Sequence, residues 1–310
     1  LANAISGFSE LFARTKPDLV VILGDRYEIL GVAQAAFFSQ IPIAHIHGGE
    51  LTEGSFDDGA RHAITKLSHL HFTSTEAYRK RVIQMGESPQ TVFNTGAPGL
   101  DRMLSLPTLK KEQLEAELGI SLHAKSVLVT FHPETLSAKN AVEEIEEVLN
   151  ALSQLEECSV IFTMPNADPG NAVIRDRIML FAKANSSRAR TFETLGSLKY
   201  INLMRYIGAV VGNSSSGIIE APFFGAPVVN IGDRQAGRIR SQHVHDCKTI
   251  CAEIVKTVRQ VLEPMHNTQI RKQPSLYGQG TASKEILKTL KTVKIDNLTR
   301  KKFYDVPVTV

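Results

Sequence analysis

Three cysteines, Cys158, Cys247 and Cys251, are all that the 310 residues contain. Their number and spacing exclude a disulfide framework and a four-cysteine zinc site, and fit small buried hydrophobes in a reducing cytoplasm. Long apolar runs are missing too. None approaches the ~20 residues that span a bilayer, and the N-terminus lacks the charged-then-apolar order of a signal peptide. No uninterrupted block of one charge sign runs through the chain, and 35 basic against 32 acidic residues leave a formal net charge of +3. So small a surplus argues against a nucleic-acid surface; any acidic partner is expected to be small and bound locally. Two nucleotide fingerprints are also lacking. Gly-x-x-x-x-Gly-Lys-Ser/Thr is absent, which argues against an ATP P-loop, and no Gly-x-Gly-x-x-Gly follows the first strand-like run, which weakens a nicotinamide reading. The expectation is a soluble, unexported, cytoplasmic protein, 43% hydrophobic and long enough for two ordinary domains.

What is present is alternation. Short apolar runs recur at 19–25 ("LVVILGD"), 41–47, 69–74 and 91–96, with helix-like segments such as 28–38 between them. A second series has strand-like runs near 126–131, 159–164, 209–212 and 227–232. Parallel strands covered on both faces by helices read this way. The polar, Lys/Glu-rich stretch 108–122 is the best linker candidate. The expected fold is α/β: two Rossmann-like doubly wound domains facing a cleft, residues 1–107 and 108–281, with helix 282–295 available to complete the first. The opening stretch, "LANAISGFSELFARTKPD", reads as an amphipathic helix leading into a strand, so the first domain is expected to be incomplete at its start. Ligands of open α/β sheets bind at the carboxyl ends of strands, which makes the residues there the candidates.

In the second half, "AVVGNSSSGIIEAPFFGAPVVNIGDRQAGR" (209–238) runs strand, Gly-Asn-Ser-Ser-Ser-Gly, helix, strand. Ser214, Ser215 and Ser216 offer hydroxyls beside the unpaired N–H groups of a helix start, which suits a diphosphate. Glu220 is one turn further on, where a carboxylate can take the two hydroxyls of a ribose, and Arg234 and Arg238 follow the next strand. Capping by Asn213 or Ser214, with Glu220 facing water, is the plainer alternative. His132 in "VTFHPET" ends the first strand of this half, and Asn166 and Asp168 in "TMPNADPG" end the next; each has a purely structural alternative.

In the first half, Asp25 and Arg26 follow the first strand. "HIHGGELTEG" (45–54) ends the second, and "DDGARHAITK" (57–66) starts the helix beyond. Glu50, Asp57, Asp58, Asp25 and Arg61 are expected around one point, where clustered carboxylates would raise one another's pKa. A solvated acidic helix cap is the alternative. His45 and His47, with His69 and His71, also suggest a metal pair, but His-x-His without a further ligand motif is weak. His45 is expected to be a satisfied core residue and His47 to face the cleft.

With "GDRYE", "HIHGGELTEG", "DDGARHAITKLSHLHF", "FNTGAPGLD", "FHPET", "PNAD", "GNSSSGIIEAP" and "NIGDRQAGR" in this order over about residues 18–280, the chain resembles the UDP-N-acetylglucosamine 2-epimerase family, especially its hydrolysing, sialic-acid branch. The resemblance implies the glycosyltransferase B type of fold, no metal or redox cofactor, a small nucleotide-sugar substrate, no nucleic-acid or membrane partner, and a homo-oligomer, dimer or tetramer. On this resemblance the given sequence is expected to lack the family's first strand and its Gly-Thr-Arg-type loop, upstream of Leu1, and His47 is expected to stand where relatives often place a glutamate.

The implied reaction is loss of UDP with removal of the C2 proton to give a glycal. Water then adds at C1 with protonation at C2 from the other face, giving free N-acetylmannosamine. The implied base is Asp25, Glu50, Asp57 or Asp58, with His47 and His132 as proton-transfer candidates. Arg26, Arg61, Asn166, Ser214, Ser215, Ser216, Glu220 and Arg234 are implied for the nucleotide. A hydrolysing enzyme for UDP-N,N'-diacetylbacillosamine and a non-hydrolysing epimerase share nearly the same motifs. A glycosyltransferase and a metal-dependent hydrolase are the readings from other classes.

Overall fold

The computed structural model describes residues 1–53, 57–133, 140–165 and 170–307. The chain divides into two compact units, Leu1–Asp101 with Tyr277–Val310, and Arg102–Leu276.

The first unit begins with α1 (Ala2–Thr15), β1 (Val20–Leu23), α2 (Tyr27–Phe38), β2 (Ile43–Ile46), α3 (Asp57–Leu67), β3 (Leu70–Thr73), α4 (Glu76–Gln84) and β4 (Val92–Asn94). Its sheet runs β1-β2-β3-β4, all parallel, with Val21 opposite Ala44 and His45 opposite His71. Alternate residues pack to opposite faces, as the strand period of two requires. Ile22 and Ile43 join Ala33 and Ala36 of α2 and Ile64 of α3 in one cluster. Ala44, Leu70 and Phe72 form another with Ile286.

The helix α5 (Pro98–Ser105) spans the point in the chain where the first unit ends and the second begins. The second unit holds α6 (Lys111–Leu118), β5 (Val127–Thr130), α7 (Ala141–Ser153), β6 (Val160–Thr163), α8 (Asn171–Ala184), β7 (Ala189–Phe192), α9 (Gly196–Tyr206), β8 (Ala209–Gly212), α10 (Ser215–Ile219), β9 (Val228–Ile231), β10 (Val244–Cys247), α11 (Cys251–Leu262) and α12 (Pro264–Ile270). Its six strands are parallel in the order β10-β9-β8-β5-β6-β7. The sheet is wound outward in both directions from a switch point between β5 and β8, the doubly wound arrangement. Both faces are covered: Val127, Val129, Val160 and Phe162 pack with α7 and α11, while Leu128, Ile161 and Val210 pack with α6 and α9. The stretch expected as a linker is therefore partly core. Leu114 and Leu118 of α6 are buried because their spacing of four puts both on one helix face.

The chain then returns to the first unit with α13 (Ala282–Thr292). The Asp101 carboxylate accepts from the backbone N–H groups of Ala282 and Ser283, so a side chain from elsewhere in the chain caps this helix. Ile286 completes the second cluster of the first sheet. Among the described residues, no helix is long and apolar enough to cross a membrane. The cysteines are free, and burial pushes the Cys158 thiol up to about 11.

Candidate functional site

In a parallel sheet every strand points the same way, so the loops after β1, β2 and β3 lie on one edge of the first unit. They carry Asp25, the His47–Glu50 turn and Ser74. The chain reverses as soon as β2 ends: His47 has φ 69 and Gly49 φ 79. A Cβ on Gly49 would lie 2.6 Å from the Tyr78 carbonyl oxygen, so only glycine fits. A non-glycine residue held at positive φ costs about 1–3 kcal/mol and persists where its surroundings fix it. The turn drives Glu50 inward to 2% exposure. Its Oε1 accepts from the Ser74 hydroxyl at 2.9 Å and lies 2.6 Å from His47 Nδ1.

Arg61, one turn into α3, is 1% exposed and organises the rest. Its Nη2 donates to Asp25 and, at 2.9 Å, to the Thr52 hydroxyl; its Nη1 donates to the Glu50 carbonyl at 2.9 Å and to Asp58 Oδ1 at 3.2 Å. Asp58 also accepts from the Thr52 backbone N–H at 2.6 Å, and its other oxygen lies 3.4 Å from His62. A buried guanidinium needs such partners, since an uncompensated charge there is strongly unfavourable. The expected cluster forms around a cation, with Arg61 bonded to both Asp25 and Asp58. Asp57 begins α3 beside it.

Arg26, implied for the nucleotide, pairs with Glu28 at 3.2 Å and its side chain is 70% exposed. The histidines of this sheet take protein partners. His45 is fully buried, with Nε2 at 2.8 Å from the Gly24 carbonyl and Nδ1 at 3.2 Å from the Thr65 hydroxyl; burial lowers its pKa to about 3. His69 Nδ1 accepts from the Ile43 N–H at 3.1 Å, and His71 lies 3.1 Å from Glu87. His45 is thus a satisfied core residue. Sequence reasoning missed Thr52, Ser74 and Arg81, whose Nη1 donates to the Gly49 carbonyl at 2.5 Å. Ser74 was legible, since it closes the strand-like run "HLHFTS" on the edge where ligands bind.

In the second unit the loops after β5 and β8 flank the switch point, where the crevice of a doubly wound sheet opens. Asn213, fully buried, ties them together. Its Oδ1 accepts from the His132 N–H at 2.7 Å, and its Nδ2 donates to the His132 carbonyl at 2.8 Å. Close approach of the two strands explains Gly212, whose φ is 134 and whose added Cβ would fall 2.0 Å from the Thr130 oxygen. Arg234 Nη1 and Gln235 Nε2 both donate to the Asn213 carbonyl, at 3.2 and 3.0 Å. His132, Asn213 and Arg234 are therefore gathered in one loop cluster.

The helix after the serines is shorter than the sequence suggests. The α10 helix has five residues and passes directly into a 3₁₀ turn, Ala221–Phe224, where Pro222 and Gly225 break the helical pattern. Ser214 caps α10, its Oγ accepting from the Ser216 N–H at 3.4 Å, and Ser215 is the first helical residue. Ser216 donates to Glu220, and Tyr200 donates to Ser216 at 2.8 Å. Burial raises the Glu220 pKa, opposed by the Ser216 hydrogen bond, and burial pushes the Tyr200 phenol up to about 12. Tyr200, on α9, was missed because nothing in "LKYINLM" marks it against a core aromatic. Asn166 and Asp168 lie outside the described residues.

The first unit thus gathers carboxylates and histidines around a buried guanidinium, and the second gathers hydroxyl and amide donors with the Arg234 guanidinium. A family model described as UDP-N-acetylglucosamine 2-epimerase matches residues 1–291. The chain is 42% identical over 310 residues to a Campylobacter jejuni protein named GDP/UDP-N,N'-diacetylbacillosamine 2-epimerase (hydrolyzing), covering 98% of this chain and 79% of the relative. It is 39% identical over 309 residues to the Escherichia coli polysialic acid biosynthesis protein P7, covering 99% and 78%. The fold matches the crystal structure of the Neisseria meningitidis UDP-GlcNAc 2-epimerase bound to UDP-GlcNAc with a TM-score of 0.80 at 21% identity, over 94% of this chain and 81% of that one. The resemblance read from the motifs is thereby borne out, and the chain belongs to the UDP-N-acetylglucosamine 2-epimerase family.

Proposed function

We propose that this protein is a hydrolysing 2-epimerase acting on a UDP-linked 2-acetamido sugar, with UDP-N,N'-diacetylbacillosamine as the preferred substrate. The sugar expected from the motifs was UDP-N-acetylglucosamine, en route to sialic acid. Two relatives support the change: the Campylobacter jejuni protein, and a Legionella pneumophila UDP-N,N'-diacetylbacillosamine 2-epimerase (hydrolyzing) at 35% identity over 95% of this chain. The second reading keeps UDP-N-acetylglucosamine, favoured by the polysialic acid relative and a Neisseria meningitidis 2-epimerase at 34% identity over 77% of the chain.

The observation that carries the reaction class is the buried Glu50 with His47 against it at 2.6 Å. The C2 hydrogen of the sugar is not adjacent to a carbonyl, so it becomes acidic only as UDP departs and C1 gains oxocarbenium character. In this reading Glu50, fixed by Ser74, orients the His47 ring through Nδ1 and leaves Nε2 to take the C2 proton. The C1–O bond breaks, its electrons leave on UDP, and the C2–H electrons form the glycal double bond. Water adds at C1, and C2 is protonated from the opposite face by a carboxylic acid of the Asp25, Asp57 and Asp58 group. Arg61 holds Asp25 and Asp58 in place. Ser214, Ser215, His132 and Arg234 receive the diphosphate, and Glu220 the ribose. No metal or redox cofactor enters these steps, and the functional form is a homo-oligomer in the cytoplasm.

The test is incubation with each UDP-sugar in deuterated buffer. Free UDP and the 2-epimeric free sugar carrying deuterium at C2 are expected, with the higher kcat/KM for the diacetamido substrate. Retained C2 hydrogen would sink the elimination, UDP-sugar equilibration without free UDP would favour a non-hydrolysing enzyme, and a higher kcat/KM for UDP-N-acetylglucosamine would restore the second reading.

A further inference from the structure

At the nucleotide-binding edge of the second sheet, hydroxyl groups form a ladder that the proposed reaction does not use. The hydroxyl of Tyr200, on α9, donates to Ser216 at 2.8 Å, and Ser216 donates to Glu220. Each hydroxyl has one proton and both are given toward the carboxylate, so the relay has one direction, ending on Glu220. Tyr200 stays protonated across the whole physiological range, its phenol pushed up to about 12 by burial, so this direction is not reversed by pH.

The consequence falls on Glu220. One of its oxygens, Oε2, accepts from Ser216, which restricts the orientations open to the carboxylate. The remaining lone pairs, restricted in direction, are left for a ligand. A vicinal diol that presents two O–H groups to a preset carboxylate gains both bonds at little reorganisation cost; a single hydroxyl gains one. We propose that Tyr200 is a positioning residue of the nucleotide site, acting through Ser216 to hold Glu220 for a ribose diol and so to select ribonucleotides over 2'-deoxyribonucleotides. This rests on the reading of Glu220 as the ribose contact.

The test is calorimetric titration of the full chain with UDP and with 2'-deoxy-UDP. Wild type is expected to prefer UDP by about 10-fold or more, one charge-assisted hydrogen bond's worth. Tyr200→Phe should cut that preference at least about threefold while leaving the melting temperature within a few degrees. Ser216→Ala should do the same, and the double variant should lose no more than Ser216→Ala alone, because Tyr200 acts only through Ser216. An unchanged preference in Tyr200→Phe or Ser216→Ala, or losses that add in the double variant, would overturn the positioning role while leaving the nucleotide reading intact. Failure of wild type to bind UDP at all would overturn both. If Tyr200→Phe does not fold, the Ser216→Ala preference decides alone.

Discussion

The two units build their loop clusters on the same edge of a parallel sheet but with opposite chemistry. In the first, a fully buried cation is the keystone: Arg61 holds Asp25, Asp58, Thr52 and the Glu50 carbonyl. In the second, the keystone is a neutral amide, with Asn213 bridging the His132 backbone in both directions. Charge holds proton-transfer groups in place at the cost of leaving a buried charge exposed to loss of any partner. Neutral hydrogen bonds hold a binding loop rigid without placing an ionised group at its centre. The difference teaches that the first site should be brittle to substitution and to acid, and the second more tolerant of both.

The largest expected effect tests that brittleness. Arg61→Met should destabilise the protein by about 3–5 kcal/mol in denaturant unfolding, because it strips the shared partner from buried polar groups, and turnover should vanish with it. A loss under about 1 kcal/mol would show that the cation is not the keystone. Next, His47→Gln should lower kcat about 100-fold or more with UDP affinity little changed; unchanged turnover would make His47 a spectator. Asn213→Ala leaves a buried N–H and carbonyl of His132 without their partners and should cost about 2 kcal/mol, visible in the same unfolding curves.

Acid should separate the units further. Burial lowers His45 to about 3 and His69 to about 4 in the first unit, and His243 to about 4 in the second. In each case the unfolded chain takes up a proton near pH 6.5 while the folded one does not. Stability is therefore unaffected above that pH and falls as pH drops through the window down to the folded value, by roughly 2 kcal/mol per group at pH 5. The first unit also carries Glu87, whose burial opposes ionisation but which His71, Lys66 and Lys301 hold down to about 2. Its contribution is present above about pH 4.5 and is lost as pH falls toward 2. Hydrogen exchange read by mass spectrometry at pH 7.5 and 5 should show protection falling more in β2 and β3 than in β5 and β8; equal losses would remove the distinction. The smallest effect is expected for Arg26→Ala, with no measurable change in unfolding midpoint, since that exposed pair with Glu28 touches neither keystone.

Most strands were legible because a strand buried on both faces must be apolar throughout. Two were not. In β7, "ARTF", and β10, "VHDC", polar residues interrupt the apolar run because each lies at an edge of the six-stranded sheet and is only partly covered. The stretch 108–122 read as a linker because its surface is charged, while the two leucines that bury α6 carry little weight in a local average.

The sequence by itself determined the α/β class, the parallel strands and the residue types at their carboxyl ends, since these follow from local periodicity and from the rule that loops at that edge carry function. It also placed Asp25, Asp58 and Arg61 within reach of one another, through a helix spacing of three and a shared edge. Only the tertiary structure decided that Arg61 is buried among the carboxylates, that Arg26 pairs with Glu28 at the surface, that Asn213 clasps His132 across 81 positions of sequence, and that Tyr200 bonds to Ser216. Those outcomes depend on the direction a side chain takes once the strands are paired, and that direction is set by neighbours distant in the chain.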